Sequence, residues 1–374
     1  AAETEADFVA ASFVRSAADV YTISDALDDH GADIPVIAKI ERAGAVENLD
    51  EIIEAAYGVM VARGDLGVEM PLEDVPIIQK RIIRKCHATG TPVITATEML
   101  DSMVSARRPT RAEASDVANA VLDGTDAVML SGETAIGDDP VRVVETMDRI
   151  VRQIEASAES DETREARIPT ADEESRTEAL ARSARYLARD VGASAIVAAS
   201  ESGYTARKTA KFRPGVPVVA TTPDDRVRRQ LALSWGITPK YSAYREDIDR
   251  MMDDAVDAAL DAGVATSGDT LVVLSGMMTE LEETNTTNML KLHVAAEAVA
   301  MGRTVVGGRV AGPLAASEDG DLSAVPTGAI LSLPASFDGE FDGDTSKIAG
   351  IVDARPGMTG YPALVARELD IPMI

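Results

Sequence analysis

Five short apolar runs, at 8–13, 36–40, 58–62, 92–96 and 127–130, constrain this chain more than anything else in it. They are rich in Val, Ile, Ala and Met and carry no polar alternation. Runs of that kind predict strands buried on both faces, as a parallel sheet requires. Acidic amphipathic stretches between them, such as 45–56 and 75–88, predict helices, and every connection is long enough for a crossover helix. Residues 1 to about 155 therefore predict five β/α units.

Each run ends in polar residues: Ser12 and Arg15, Lys39 and Glu41, Arg63 and Asp65, Thr95 and Thr97, Ser131 and Glu133. A β/α barrel builds its site from the loops that follow its strands, so these groups are expected on one face. Five units do not close the usual eight-stranded barrel, and an open half-barrel leaves two strand edges unpaired. The expectation is that preceding strands lie outside residues 1–374 or that another chain supplies them.

Glu41 and Asp65, on neighbouring strand ends, have the placement needed to hold one hard divalent cation. Magnesium takes one or two carboxylates and keeps its other positions for water and substrate oxygens. The absence of a nearby histidine argues against zinc. Lys39 lies two residues before Glu41, so both side chains face one side of the strand. An ammonium there can neutralise a phosphoryl group or an enolate. Gly64 would let the backbone approach an anion. Thr97, two after Thr95, can point into the same cavity and donate through its hydroxyl. Arg63 is placed either to reach an anionic substrate or to brace one of the two acids.

The chain has 63 Asp and Glu against 36 Lys and Arg, and only eight of those bases are lysines. A formal charge of -27 repels nucleic acid and anionic membranes and suits a salt-adapted cytoplasmic protein. Cys86 is the single cysteine, which excludes an intrachain disulfide framework and reads as a buried, inert thiol. No run reaches the eighteen apolar residues of a membrane span, and no signal peptide is visible within residues 1–374; because the first residue is Ala1 and not a methionine, an upstream segment is expected.

Residues 156–174 read as a linker or helical excursion. A second α/β pattern follows over 175–302, with helices at 177–190, 205–212, 225–234 and 248–262. Its strands are expected at 195–199, 218–220, 270–274 and 291–294. Ser200-Glu-Ser-Gly-Tyr-Thr205 falls between a strand and a helix, where hydroxyls and a helix start either cradle a phosphate or simply cap the helix. From 303 to 374 frequent glycines punctuate short apolar runs, which predicts a small β-rich domain closed by a helix at 363–369.

The motifs Phe-Val-Ala-Ala-Ser-Phe-Val-Arg (8–15), Ala-Lys-Ile-Glu (38–41), Val-Ala-Arg-Gly-Asp-Leu-Gly (61–67) and Val-Ile-Thr-Ala-Thr-Glu-Met-Leu (93–100) resemble successive barrel signatures of the pyruvate kinase family. So do residues 108–124 and Val-Met-Leu-Ser-Gly-Glu-Thr-Ala (128–135). The fold implied is α/β: the last five of eight units of a TIM-type barrel, an α/β C-terminal domain, and a small swivelling-type domain. The resemblance implies that Lys39 assists phosphoryl transfer, that Glu41 and Asp65 bind Mg2+ or Mn2+, and that Thr97 lies near the enolate. It also implies that the amides of Gly64 and Asp65 bind the substrate carboxylate. The reaction implied is transfer from phosphoenolpyruvate to ADP, giving pyruvate and ATP.

Residues 200–223 and Ser234-Trp-Gly-Ile-Thr-Pro239 extend the likeness to the family's C-terminal domain. It implies that Ser200, Ser202 and Thr205 bind a phosphorylated effector, a sugar phosphate or a nucleotide, within a homotetramer. Gly357-Met-Thr-Gly-Tyr-Pro-Ala-Leu-Val-Ala-Arg367 resembles the phosphohistidine domain of enzymes that use phosphoenolpyruvate, with Tyr361 in the place of the histidine. A phenol cannot replace the reversible phosphoramidate chemistry of imidazole, so a structural or regulatory tail is expected. The first three barrel strands, the lid and the implied K+ ligands are expected outside this chain, and residues 1–374 alone are expected to show little turnover. Two alternatives stay open: a metal-dependent lyase or aldolase acting on a pyruvate enolate, and a non-catalytic protein that binds a phosphorylated ligand at 200–205.

Overall fold

The computed structural model describes residues 1–157, 175–245, 247–276, 287–295, 302–308, 310–355 and 359–374. Most of the expected linker at 156–174 lies outside the described residues, as do residues 356–358 of the tail motif. The chain divides into two units, Ala1–Ala296 and Glu297–Ile374.

The first unit holds two sheets. One has strands β1 (Val9–Ala11), β2 (Val36–Ile40), β3 (Gly58–Ala62), β4 (Val93–Ala96) and β5 (Ala127–Val128), all parallel and in sequence order. Three of the five expected spans survive within a residue. β1 and β5 are shorter than expected, and each is an open edge of the sheet. Side chains alternate strictly between faces. Val36, Ala38, Ile40, Val59 and Val61 pack outward against Leu49, Ile52, Ile82 and Ile83 of the helices α3 (Leu49–Ala55) and α5 (Val75–Thr89). Ile37, Met60 and Ala96 turn to the other face, with Phe8, Tyr57, Ile94, Met129 and Leu233 packed around them. Lys39, in register with Ile37, belongs to that second face.

A single helix expected at 45–56 is two. Ala43–Glu47 ends at Asn48, whose φ of -98° and ψ of 24° break the run before α3 begins. The Asn48 amide donates instead to the carbonyl of Arg15 at 2.9 Å, tying the break to the end of β1.

The second sheet has the order β10-β9-β6-β7-β8, from β6 (Ala195–Ala199), β7 (Val218–Thr222), β8 (Ile237–Tyr241), β9 (Thr270–Ser275) and β10 (Met289–Val294). All its pairs are parallel except β9 with β10. Sequence reading missed β8 because Pro239 sits inside it. A proline is tolerated there because β8 is an edge strand, where one row of amides has no partner to serve.

Contacts between the two sheets' lobes collect at one end of the first sheet. Arg229 pairs with Asp7 at 2.9 Å and Arg226 donates to the Asp33 carbonyl at 2.7 Å. Lys208 donates to the Thr89 carbonyl at 2.8 Å, and Arg213 to the Gly124 carbonyl and Asp126 at 2.7 and 3.0 Å. Arg207 lies over the Tyr57 ring at 4.9 Å. Each of these acceptors precedes a strand, so in these contacts the second lobe meets the N-terminal ends, away from the polar groups that follow the strands.

The unit Glu297–Ile374 has three parallel strands in the order β11 (Leu314–Ala316), β12 (Ala329–Leu333), β13 (Ile348–Asp353), followed by the helix Tyr361–Leu369. Its core gathers Leu322, Leu331, Leu333, Phe337, Ile351, Ala363 and Met373. Gly320 is required: its φ is 87°, and a Cβ there would sit 2.4 Å from the Glu340 carbonyl oxygen.

Glu178 holds Lys208, one of the second lobe's donors across the interface between the two sheets' lobes, and Lys211. Burial pushes its carboxyl up, but hydrogen bonds from Lys211 (2.7 Å) and Lys208 (3.0 Å) and the Ser175 amide prevail and hold it at about 2. A depressed acid stabilises the fold above its ordinary value of 4.5, and that contribution fades as pH falls toward about 2. Glu178→Gln should therefore cost about 2–3 kcal/mol near neutral pH by urea denaturation. The gap to wild type should narrow as the pH is lowered below about 4.5.

Candidate active site

The site begins at the C-terminal end of β2. The Glu41 side chain is 2 % exposed, and its two oxygens are both engaged. Oε1 lies 2.6 Å from Lys39 Nζ, and Oε2 accepts from the Phe13 amide at 2.9 Å. Lys39 Nζ also donates to Ser12 Oγ at 2.9 Å. The two-residue spacing thus delivers lysine and glutamate to one side, as expected, and the β1 loop grips both. Phe13 adopts φ 60°, an uncommon conformation for a bulky residue, while its ring stays exposed under Arg42. Nothing in the sequence signalled that a phenylalanine amide would hold the buried carboxylate.

Asp65 lies in the first turn of α4 (Arg63–Glu69), directly after β3, and is exposed. It stands at the same end as Glu41, on the neighbouring strand. Among the described residues no group of three or more His, Cys, Asp or Glu is placed to hold a metal. Two carboxylates at one end of neighbouring strands, one of them paired with an ammonium, are the donor types of a cation that keeps water and substrate oxygens as its other ligands, as magnesium does.

Arg63 departs from expectation. It reaches neither acid and faces no open ground, because its side chain is 13 % exposed and its donors are spent inside the fold. Nε donates to the Ala96 carbonyl at 3.0 Å and one terminal nitrogen to the Thr97 carbonyl at 2.6 Å. The other terminal nitrogen bonds Asp116 at 2.7 Å. Its role is to hold the loop after β4, where Thr97 (φ 69°) and Glu98 (φ 53°) are both left-handed. Two strained residues in succession persist only where neighbours over-determine them, and the guanidinium fork does so. Asp116 went unremarked although it lies inside the 108–124 motif, because nothing in its spacing pointed back to Arg63.

That turn separates Thr95 from Thr97. Thr95 is fully buried and donates to Thr125 Oγ1 at 3.0 Å, so the two threonines share no cavity. Thr97 Oγ1 accepts from the Gly64 amide at 2.8 Å and donates to the Ala96 carbonyl at 2.7 Å. The Gly64 amide is therefore engaged with Thr97 in this structure. A Cβ at Gly64 would find Thr97 atoms no nearer than 3.6 Å, so packing does not demand the glycine. Glu133, 1 % exposed, accepts from the Leu100 and Ser131 amides at 3.0 and 2.7 Å and joins the β4 and β5 loops.

In the second lobe, Ser200 Oγ accepts from the Thr205 amide at 3.3 Å, which caps the helix Tyr204–Lys211. Thr205 is buried and its hydroxyl pairs with Thr287 at 2.8 Å, while Ser202 is exposed. Gly203 has φ 75° and a Cβ there would meet Leu231 at 2.9 Å, so this turn needs glycine. Tyr361 opens the tail helix, half-buried, with its ring edge-on to Phe341 at 5.6 Å. Cys86 is fully buried, and burial followed by the charge of Asp126 pushes its thiol well above the usual range, which keeps it inert.

Family models for the pyruvate kinase barrel domain and the pyruvate kinase alpha/beta domain match residues 1–144 and 178–293. The chain belongs to the pyruvate kinase family. A model of the mobile domain of PEP-utilising enzymes matches residues 325–374. A pyruvate kinase of Geobacillus stearothermophilus is 44 % identical over 98 % of this chain and 62 % of its own length. One from Bacillus licheniformis is 42 % identical over 100 % and 63 %. A crystal structure of a pyruvate kinase from Cryptosporidium parvum superposes with a TM-score of 0.73 at 36 % identity, covering 79 % of this chain and 59 % of that one. The chain thus spans about 62 % of the length of the curated pyruvate kinases it matches. No helix among the described residues is long and apolar enough to cross a membrane.

Arg63→Lys, which keeps the charge but loses the fork, should destabilise the chain by about 2 kcal/mol or more in urea denaturation, because two carbonyls and a strained turn lose their donor.

Proposed function

We propose that this chain carries the phosphoryl-transfer centre of a pyruvate kinase, which moves the phosphoryl group of phosphoenolpyruvate to ADP and protonates the resulting enolate to pyruvate. The observation that carries the reading is the Lys39–Glu41 contact of 2.6 Å at the end of β2, beside Asp65 at the end of β3. Glu41 and Asp65 would hold Mg2+ or Mn2+, which when bound supplies positive charge to the phosphoryl and carboxylate oxygens of the substrate.

Lys39 stays on the inner face with its ammonium pointed past Ser12, where it can follow negative charge on the group in flight. Thr97 and the Gly64 amide, now bonded to each other, part to receive the substrate carboxylate, so the latch exchanges one hydrogen bond for two. Arg63 fixes the height of that latch and touches no substrate. A lyase or aldolase would share the enolate chemistry, but would leave the alpha/beta domain match at 178–293 without a role.

The loop Ser200–Thr205 is proposed as the seat of a phosphorylated effector, a sugar phosphate or nucleotide, with the exposed Ser202 making first contact. K+ is proposed as a second cation with ligands beyond these residues, and the assembly as a homotetramer in the cytoplasm. The 303–374 extension is proposed as structural or regulatory. The packing of Tyr361 on Phe341 supports an anchoring role for that side chain.

The test is a coupled assay of pyruvate formation with ADP, Mg2+ and high KCl, on the 374-residue chain and on any longer product of its gene. The longer product should turn over and the 374-residue chain hardly at all. Lys39→Ala and Asp65→Ala should each lower turnover at least about 100-fold with unchanged circular dichroism. Gly64→Ala should leave stability within about 0.5 kcal/mol yet lower kcat/KM. Wild-type rates in Lys39→Ala or Asp65→Ala would refute the reading.

A further inference from the structure

A small pocket, open to solvent on one side, lies where the second lobe meets the N-terminal ends of the first sheet. His87, Asp126, Arg207, Lys211, Arg213 and Ser234 are among its lining residues. Its innermost space admits about one water-sized group.

The local charge runs against the rest of the molecule. Acids outnumber bases 63 to 36 over the chain, yet Arg207, Lys208, Lys211 and Arg213 gather here around two carboxylates, Glu178 and Asp126. Glu178 is divided between Lys208 and Lys211. Asp126 is saturated: one oxygen accepts from Arg213 and the Trp235 amide at 3.0 and 3.1 Å, the other from the Val93 amide at 2.9 Å. Arg207 bonds the Tyr57 hydroxyl and the Ser202 carbonyl, at 3.4 and 3.3 Å, and no carboxylate among the described residues. Lys211 and Arg213, only 5 % and 6 % exposed, are each paired with a carboxylate, Glu178 and Asp126, so the surplus falls on the partly buried Arg207. A partly desolvated charge of that kind is stabilised when a counter-charge enters with it.

A second, independent observation points to a ligand. Ser234 is 7 % exposed, and its hydroxyl is buried with no hydrogen-bond partner although it lines the pocket. A hydroxyl cut off from water needs an acceptor. Water would satisfy Ser234 and leave the charge surplus; an anion satisfies both. The narrow inner space favours a small anion over a phosphate or a nucleotide.

We propose that this pocket binds a monovalent anion of halide size, with chloride as the ordinary occupant, accepting from Ser234 Oγ and neutralising the surplus at Arg207. Bound there, the anion fastens the second lobe to the strand starts. Salt then stabilises the chain by occupying a site as well as by screening its acidic surface.

Crystals of the 374-residue chain grown in KBr, measured above the bromine absorption edge, should show an anomalous peak within hydrogen-bonding reach of Ser234 Oγ. In solution, replacing KCl by potassium gluconate at equal ionic strength should lower the wild-type Tm by about 2–4 °C, and by less than half as much in Ser234→Ala. A pocket containing only water without anomalous signal, or equal Tm values in the two salts, overturns the proposal. If Ser234→Ala does not fold, the bromide map of the wild type decides alone.

Discussion

Five strands running the same way give the first sheet two chemically distinct ends, and the rest of the unit Ala1–Ala296 is arranged around that asymmetry. The residues before the strands offer carbonyls and carboxylates: Asp7, Asp33, Thr89, Gly124 and Asp126 all accept bonds from the second lobe. The donors are nearly all Arg and Lys, drawn from a chain in which acids outnumber bases 63 to 36. The residues after the strands are left uncovered by that lobe, and there the polar groups collect. Docking at one end is what leaves the other end to chemistry.

At that other end strain and charge are held together by a few donors. Phe13, Thr97 and Glu98 all take positive φ. Phe13 gains its amide bond to Glu41 in that conformation, and Arg63 holds the carbonyls of Ala96 and Thr97 at the left-handed turn. Strain stored in this way is tolerable only in a rigid surround, which the half-buried Arg63–Asp116 pair and the buried Glu133 bridge supply. The outcome is one buried carboxylate already paired with an ammonium, and one exposed carboxylate, Asp65, after the neighbouring strand. That asymmetry suits a cation that arrives with its own water and substrate.

The sequence disclosed the strands because burial on both faces leaves an unbroken apolar run, and it disclosed the Lys39–Glu41 pair because strand geometry puts alternate residues on one side. It concealed whatever depended on partners distant along the chain. Arg63 looked like a substrate contact or a brace for Glu41 or Asp65 because its own motif gives no hint of Asp116, fifty-three residues on. Thr95 and Thr97 looked like neighbours on one face because a left-handed turn between them has no signature in side-chain type. β8 was hidden by Pro239, which only its place at a sheet edge makes acceptable. Asn48 broke a helix that periodicity ran straight through, since its bond to Arg15 joins elements far apart in order.

The central claim is that Glu41 and Asp65 jointly hold a divalent cation next to Lys39, and a Mn2+ titration followed by electron paramagnetic resonance tests it most directly. The account predicts one Mn2+ bound per chain, with affinity lowered at least about 10-fold in both Glu41→Gln and Asp65→Asn. Equal Mn2+ affinity in the wild type and both variants would contradict it.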